Sequence, residues 1–375
     1  YWDTSGGTGT AATSTTVSNA PTQSLFALVS GTDRHVVCFG TETTIGSSGT
    51  QDNMFIRWCD QESINEWTPT ATNTAGSTRL TDGSTLVSAK RSRGAVLVWT
   101  DTAMYQMQLV GAPFTFGFSQ LGANCGAVGL NSTIDINGTA FWMGKDSFFM
   151  FDGSVQKLRC AVEDYVFTDI SEGSQRDTFA SANSEFNEVT WFYCSSSSTT
   201  IDRCVTYNYA DQVWYTGTLA RSSWVDKGVY SDPYATLYDS SSTDATISTI
   251  TGLTAGRTQM YAQETGNDGD GSAITAFVES GDFVIPESGE YLMSIKRFIP
   301  DFKNLAGTVN VTLKFRDYPT STQRSYGPYN ITTSTTKIDT RARGRQAALR
   351  IQSAATGDAW RFGTYRAEVR QDGRR

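Results

Sequence analysis

The chain of 375 residues contains a single histidine, His35. Its six cysteines form no Cys-x-x-Cys pair, so the close ligand spacing of the common zinc sites is missing. A hydrolytic triad needs a histidine beside a nucleophile, and His35 lies inside a strand-like run of apolar residues. We therefore predict a structural histidine at a strand edge, and neither a hydrolytic triad nor a multi-histidine metal site.

Charged residues and long apolar runs are also scarce. Only 18% of the residues are charged, and no apolar run reaches the roughly 18 residues that a membrane helix requires. No signal peptide is visible, and because the chain starts at Tyr1 rather than Met we expect an upstream segment to be missing or removed. The net charge of −8 argues against a surface that grips nucleic acid throughout, and it is compatible with DNA sliding past.

The cysteines have two interpretations. Most lie in apolar runs such as Val36-Val37-Cys38-Phe39, which favours buried free thiols that behave as small hydrophobic side chains. Cys194 and Cys204 flank a serine-rich loop and could face each other across a hairpin, although nothing in the sequence demands an oxidising compartment.

Aromatic residues make up 12% of the chain, and Thr, Ser and Gly are abundant, which is typical of pleated strands joined by tight turns. Between residues 95 and 153 short apolar runs break at Asp, Gly or Pro, and Val98-Trp-Thr-Asp101 has a counterpart at Trp142-Met143 and Lys145-Asp146. Such repetition indicates a ring of small antiparallel sheets. We predict an all-β protein with a β-propeller-like domain of about five or six blades.

The order of these patterns predicts three regions. Residues 1–23 are a Gly-, Ser- and Thr-rich arm or loop, residues 24–285 are the propeller, and residues 286–375 are a β-sandwich-like, arginine-rich assembly domain with longer strands. The clearest hairpins lie in 188–215, where Val189, Trp191 and Tyr193 share one face. One helix is expected over 160–167, with Val162, Tyr165 and Val166 along one side.

Two carboxylate groupings are candidates for a reactive site. Glu163 with Asp164, or Asp268 with Asp270, could supply an acid and a base, but neighbouring residues rarely converge, so solvated turn carboxylates are favoured. The segment 267–271 resembles the start of a calcium-binding loop, but it lacks the acidic ligand that ends such a loop. An Asp-Gly hairpin turn is therefore favoured there. No phosphate-binding glycine motif occurs. We predict no catalytic residue, cofactor, metal ion or small-molecule substrate, and hence no enzyme.

The C-terminal forty residues carry nine Arg and one Lys against four acids, a net charge of +6, whereas residues 1–335 carry −14. In Arg341-Ala-Arg-Gly-Arg345 the alternation places three guanidinium groups on one face of an extended strand. We predict a docking surface for an acidic partner subunit, since Arg binds carboxylates through two parallel hydrogen bonds. A solvated edge that discourages aggregation and direct DNA contact remain alternatives. The predicted interface residues are Arg341, Arg343, Arg345, Arg350, Arg361, Arg366 and Arg370.

Several short sequence segments, spread over roughly residues 95–375, resemble segments of structural proteins of tailed bacteriophages. They include Trp99-Thr-Asp101 through Met107 and residues 110–118, 121–126, 141–144, 148–153, 162–169, 300–302, 343–346, 360–363 and 372–375. Within that class, the resemblance is to the large β-propeller proteins that form the tail nozzle or hub of short-tailed phages.

The resemblance implies a specific role. Six copies would ring the distal DNA channel below the portal and adaptor proteins, retain the genome and open for ejection. It also implies contacts with tail fibres or spikes, passage of phage DNA through the lumen without sequence-specific binding, a virion location and assembly in the host cytoplasm. The alternative is a receptor- or glycan-binding virion protein, a fibre or tailspike anchor, whose exposed Trp and Tyr side chains stack on sugars. A polysaccharide-degrading enzyme is a third class, which would need two carboxylates converging in one cleft.

Overall fold

The computed structural model describes residues 2–3, 13–14, 17, 19–31, 33–239, 257–284 and 290–373. These residues form an all-β protein of small antiparallel sheets, which confirms the predicted fold class at this level. The described part contains one α-helix, α1 (Glu163–Asp169), and two 3-10 turns (Ser48–Thr50 and Glu172–Asp177). The chain divides into two compact units, Tyr1–Gln263 and Glu264–Arg375.

After a short ladder between β1 (Trp2–Asp3) and β2 (Thr13–Ser14), the described residues of the first unit form five sheets whose strands pair in chain order. Sheet I contains β3 (Phe26–Val29), β4 (Val36–Phe39), β5 (Phe55–Trp58) and β6 (Gly76–Arg79); sheet II contains β7 (Leu86–Ser92), β8 (Ala95–Thr100), β9 (Ala103–Gly111) and β10 (Thr115–Ala123). Sheet III contains β11 (Thr133–Ile136), β12 (Thr139–Met143), β13 (Phe148–Phe151) and β14 (Val155–Lys157). Sheet IV contains β15 (Phe179–Asn183), β16 (Glu188–Tyr193), β17 (Arg203–Asn208) and β18 (Val213–Gly217); sheet V contains β19 (Ser223–Val225), β20 (Tyr234–Asp239) and β21 (Arg257–Ala262).

Tryptophan recurs on the second strand of three successive sheets. Trp99, Trp142 and Trp191 are fully buried on β8, β12 and β16. Trp99 and Trp142 meet edge to face at 5.5 Å between ring centroids. The repeated phrase of the sequence thus corresponds to equivalent positions in consecutive sheets, where large aromatic side chains fill the space between neighbours.

Neighbouring sheets of the first unit pack through shared apolar cores. Side chains from sheets I and II form one core, those from II and III a second, and those from III and IV a third. The first strands also touch in order, β7 with β11, β11 with β15 and β15 with β19. Hydrogen bonds reinforce two of these steps: Ser88 Oγ lies 2.8 Å from Thr133 Oγ1, and Trp224 Nε1 donates to the Ala182 carbonyl at 3.0 Å.

The second unit begins with a hairpin of β22 (Asp268–Gly269) and β23 (Ser272–Ala273), and its main sheets enclose one apolar core. Sheet VI has the order β24-β30-β27-β28, with β24 (Ala276–Glu279), β27 (Val309–Arg316), β28 (Arg324–Ile331) and β30 (Gln346–Ser353). Sheet VII has the order β29-β25-β32, with β25 (Met293–Ile299), β29 (Ile338–Gly344) and β32 (Arg366–Gln371). A further pair joins β26 (Phe302–Ala306) to β31 (Ala359–Phe362).

The boundary between the units differs from the expected one after residue 285. Strand β24 pairs with β30 in the register Val278 to Ile351, so residues 276–279 belong to the second unit. This pairing joins segments that are far apart in the chain, so no local sequence pattern predicts it.

The helix, the N-terminal arm and the hairpins of 188–215 follow the sequence-based expectations to different degrees. Helix α1 begins and ends slightly later than predicted, and Tyr165 is 53% exposed while Val166 is buried. Much of the arm at 1–23 lies outside the described residues, although Thr22 donates to the Glu42 carboxylate from its amide (3.1 Å) and its hydroxyl (2.6 Å). The hairpins of 188–215 are confirmed, with Val189, Trp191 and Tyr193 in one core.

Candidate interaction surface

His35 is a buried structural residue in the first unit. Its Nε2 lies 3.0 Å from Thr74 Oγ1, and its ring meets the Phe116 ring edge to face at 5.0 Å. Burial lowers the pKa of His35, and this effect is larger than the increase that nearby Asp33 and Asp60 cause. The side chain therefore holds a polar contact inside the packing of sheets I and II.

One member of each carboxylate grouping accepts a hydrogen bond from a neighbouring group. Glu163 Oε1 accepts a hydrogen bond from Lys157 Nζ at 3.0 Å, while Asp164 is exposed in the first turn of α1. Asp268 Oδ1 accepts one from the Gly357 amide at 2.7 Å.

The calcium-loop segment is a hairpin turn. Asp268 pairs with Ala273 and Gly269 with Ser272, which leaves Asp270 and Gly271 as the loop. Both loop residues have positive φ, at 50° and 75°, as a type I′ turn requires. Within the described part of the chain, no group of three His, Cys, Asp or Glu side chains is placed to hold a metal ion.

All six cysteines lie within the described ranges and are free thiols, so Cys194 and Cys204 are not joined. Burial raises the pKa of Cys38 to about 12 and that of Cys125 to about 11. They act as small apolar side chains. No helix in the described ranges is long and apolar enough to cross a membrane.

The outer side of sheet VII carries most of the predicted interface arginines. On β29 burial alternates strictly, with Ile338, Thr340 and Ala342 buried and the residues between them exposed. The core side chains of β25 and β32 point the same way as Ala342, so the opposite side presents the polar residues. We call this outer surface the arginine face; it consists of Arg297, Asp339, Arg341, Arg343, Arg366, Glu368 and Arg370.

Strand pairing determines which of these charges are neighbours. Arg297 of the central strand lies opposite Asp339 on one side and Glu368 on the other, and its Nε is 2.8 Å from Asp339 Oδ1. Hydrogen bonds from Arg297 and Lys337 lower the pKa of Asp339. Ser294 lies between Arg343 and Arg370, so no carboxylate separates these two in their row.

The arginine face is therefore a positive surface. The residues that define it include five arginines and two acids, a net charge of +3; Arg343 is paired with Asp372 and Arg370 with Glu368, each at 2.8 Å. Arg370 and Arg343 have 61% and 51% of their side-chain surface exposed. Exposed arginines in such a row can form forked hydrogen bonds with the carboxylates of a partner.

The other predicted interface residues lie elsewhere. Arg350 lies on β30 of sheet VI, where its Nη1 is 2.8 Å from Glu279 Oε2 and its guanidinium stacks 3.9 Å from the Phe277 ring centroid. Burial would raise the pKa of Glu279, but hydrogen bonds from Lys314 and Arg350 outweigh it and the pKa is lowered. This ion pair joins two strands of one sheet, and the interface role of Arg350 stays a prediction.

Arg361 is exposed on β31, opposite Lys303 of β26. Arg345 follows β29 and stacks on the Tyr318 ring at 5.3 Å. The structure thus gathers Arg341, Arg343, Arg366 and Arg370, and it adds Arg297, which the sequence analysis missed. The two-residue alternation of Met293 and Ile295 would place Arg297 on the core side; a register shift between Ile295 and Arg297 brings Arg297 to the outer side, and the local sequence pattern does not predict that shift.

No protein-family model and no curated protein matches the chain. Solved structures with some similarity include one described as a glycoside hydrolase, at 10% identity and a TM-score of 0.29 over 91% of this chain and 96% of the other. The N-terminal domain of Nup159 shows 11% identity and a TM-score of 0.32, covering 71% of this chain and 68% of the other. A glycoside hydrolase family 43 arabinoxylan arabinofuranohydrolase from Bacillus subtilis shows 10% identity and a TM-score of 0.25, covering 92% and 95%.

Proposed function

We propose that this chain is a structural, non-enzymatic component of a phage tail, the subunit of a nozzle or hub ring that forms the distal DNA channel. The first unit would be a propeller-like wheel of about five blades, with sheets I–V as blades and their first strands toward the axis. The second unit would be a β-sandwich formed by sheets VI and VII. Support comes from the pairing of strands in chain order and from the contacts between successive first strands.

Charge segregation is the observation that carries the proposal. Residues Tyr1–Gln263 contain 14 basic and 25 acidic residues, a net charge of −11, whereas Glu264–Arg375 contain 16 and 13, a net charge of +3. An acidic wall repels phosphates, so a duplex can move along it without being trapped.

The arginine face would make the contact between copies. A ring needs head-to-tail contacts in which two different surfaces of the subunit meet. A positive face on one copy and an acidic first unit on the next are complementary, and such complementarity steers association and sets orientation. We propose a homo-hexamer in the virion, assembled in the host cytoplasm, with adaptor or portal proteins and tail fibres or spikes as its other partners.

Particles produced without this protein test the proposed role. We expect such particles to package DNA and then to lose it, because the distal channel would be open. The measurement is the fraction of packaged DNA that becomes nuclease-sensitive after purification, with complemented particles as the control. Particles that retain their DNA and fail only to adsorb to the host would contradict the nozzle and favour the receptor-binding alternative.

A further inference from the structure

The outer side of sheet VI carries an exposed aromatic ring and three carboxamides in one row. Phe277 of β24 lies opposite Gln352 of β30. Gln352 also lies opposite Asn310 of β27, which in turn lies opposite Asn330 of β28. Residues directly opposite each other in paired strands have their side chains on the same side of the sheet. Ile351, which precedes Gln352, is buried in the core, so the four side chains lie on the outer side. We call these four residues the amide row.

The amide row crosses the full width of the sheet. Its members lie on four neighbouring strands, about 4.8 Å apart, so the row is about 14 Å long. Gln352 and Asn310 are half-buried, Asn330 is exposed, and Phe277 has 57% of its surface exposed. A straight and accessible row of this length suits a ligand of several linked rings rather than a single small molecule.

The carboxamides keep hydrogen-bonding capacity for a ligand. Gln352 Oε1 accepts a hydrogen bond from Arg350 Nε at 3.0 Å, which fixes this carboxamide and leaves its Nε2 group as a donor. Among the residues that the structure describes, none forms a hydrogen bond with the side chain of Asn310 or Asn330. A carboxamide offers one acceptor oxygen and two donor hydrogens. The row therefore presents donors and acceptors side by side.

The aromatic ring is fixed in position, and the charges around it lie beside the row. The Arg350 guanidinium stacks on the Phe277 ring at 3.9 Å from the centroid. Arg350 and Lys314 share the carboxylate of Glu279, at 2.8 and 2.6 Å, so one surplus positive charge lies next to the row. The amide row itself contains no ionisable side chain. A neutral polar ligand matches this chemistry.

We propose that the amide row binds a neutral, extended polysaccharide of β-1,4-linked hexopyranose units with equatorial hydroxyls. Such rings carry their hydroxyls on the rim and C–H bonds on both faces, so Phe277 packs against one C–H face. Two adjacent hydroxyls present an acceptor and a donor side by side, which is the pattern that a carboxamide complements. Equatorial linkage at opposite ends of each ring keeps the chain straight, as the row is.

This site is independent of the proposed ring assembly. The amide row belongs to sheet VI, whereas the arginine face belongs to sheet VII, and the two share no residue. Sugar binding can therefore be measured on single chains, and its failure would leave the proposed subunit contact unaffected.

Calorimetric titration of the full-length, unassembled protein with cellotetraose tests the proposal. Isomaltotetraose is the paired ligand, because it contains the same four glucose units in a bent, α-1,6-linked chain. We expect binding of cellotetraose only. Its affinity should be the same at about 0.1 M and about 1 M salt, because screening does not weaken contacts with an uncharged ligand.

Variants of the row distinguish its two kinds of contact. Phe277→Ala should weaken binding at least about tenfold, whereas Phe277→Trp should retain it because a flat ring remains. Asn310→Ala and Asn330→Ala should each weaken it about fivefold, the loss of one neutral hydrogen bond. Tyr318→Ala is the matched control. Tyr318 is 59% exposed in the same unit and stacks with Arg345 at 5.3 Å, but it lies outside the row, so its truncation should leave the affinity unchanged.

Three results would overturn the proposal. Wild-type protein that does not bind cellotetraose would refute the site. Equal binding of isomaltotetraose, or an equal loss of affinity in Tyr318→Ala and Phe277→Ala, would show that the amide row does not recognise the sugar chain. A change of oligomeric state in Phe277→Ala, measured by analytical ultracentrifugation and without any sugar binding, would assign the exposed edge at β24 to a subunit contact instead. Circular dichroism of each variant, compared with wild type, verifies that the second unit is folded.

Discussion

Trp191→Ala is expected to lower the free energy of unfolding of the first unit by about 3–5 kcal/mol, the usual cost of deleting a buried tryptophan. Trp191 has no exposed surface, packs against the Phe148 ring at 4.9 Å and stacks on Trp214 at 6.0 Å. Its Nε1 also donates to the Ser132 carbonyl at 3.0 Å, so the truncation would leave that buried acceptor without its donor. The side chain connects sheets III and IV, and its loss would open a cavity between them.

The measurement is urea unfolding of the full chain followed by near-ultraviolet circular dichroism. Tyr215→Ala is the matched control in the same sheet, because Tyr215 is 47% exposed on β18 and its truncation should cost well under half as much. A cost for Trp191→Ala no greater than that of the control would show that the face-to-face packing of the sheets is not as described.

Reversal of charge on the arginine face is expected to abolish assembly without unfolding the chain. In the double variant Arg341→Glu and Arg370→Glu two exposed positive charges become negative, on β29 and β32. Exposed substitutions of this kind change stability by about 0.5 kcal/mol or less each. Like charges facing an acidic neighbour cost several kcal/mol, and each 1.4 kcal/mol is about tenfold in affinity. We therefore expect incorporation into particles to fall at least about a hundredfold.

The readout is the amount of protein that co-sediments with complemented particles. Arg361→Glu reverses one charge, half the change made by the double variant, at an exposed position of the same unit outside the arginine face. It should be incorporated like the wild type. If the double variant is incorporated normally, or if Arg361→Glu is lost to the same extent, the arginine face is not the subunit contact.

Patterns confined to one strand were read correctly from the sequence. The two-residue alternation predicted the shared face of Val189, Trp191 and Tyr193 on β16 and of Arg341 and Arg343 on β29, because successive side chains of a strand point to opposite sides; Arg345, expected on the same face, lies beyond the end of β29. The repeated short segments rich in aromatic residues predicted consecutive small antiparallel sheets. Strand β6 was missed because Gly-Ser-Thr-Arg has no apolar periodicity, and only its pairing with β5 makes it a strand.

Features that depend on pairing between distant segments were not predictable. The proximity of Arg297 and Arg370 to Arg341 follows from β25 lying between β29 and β32, which local sequence does not specify. Arg350 and Arg361 carry the same charge in the same region of the chain, yet they lie in different sheets. The amide row of sheet VI likewise joins four strands of the second unit.

Electron cryomicroscopy of the intact particle tests the central claim most directly, by determining how many copies of this chain surround the tail axis and which surface joins them. The account predicts six copies around the DNA channel, with the outer side of sheet VII buried against the first unit of the neighbouring copy. Three copies in peripheral spikes, or a ring in which sheet VII faces solvent, would contradict it.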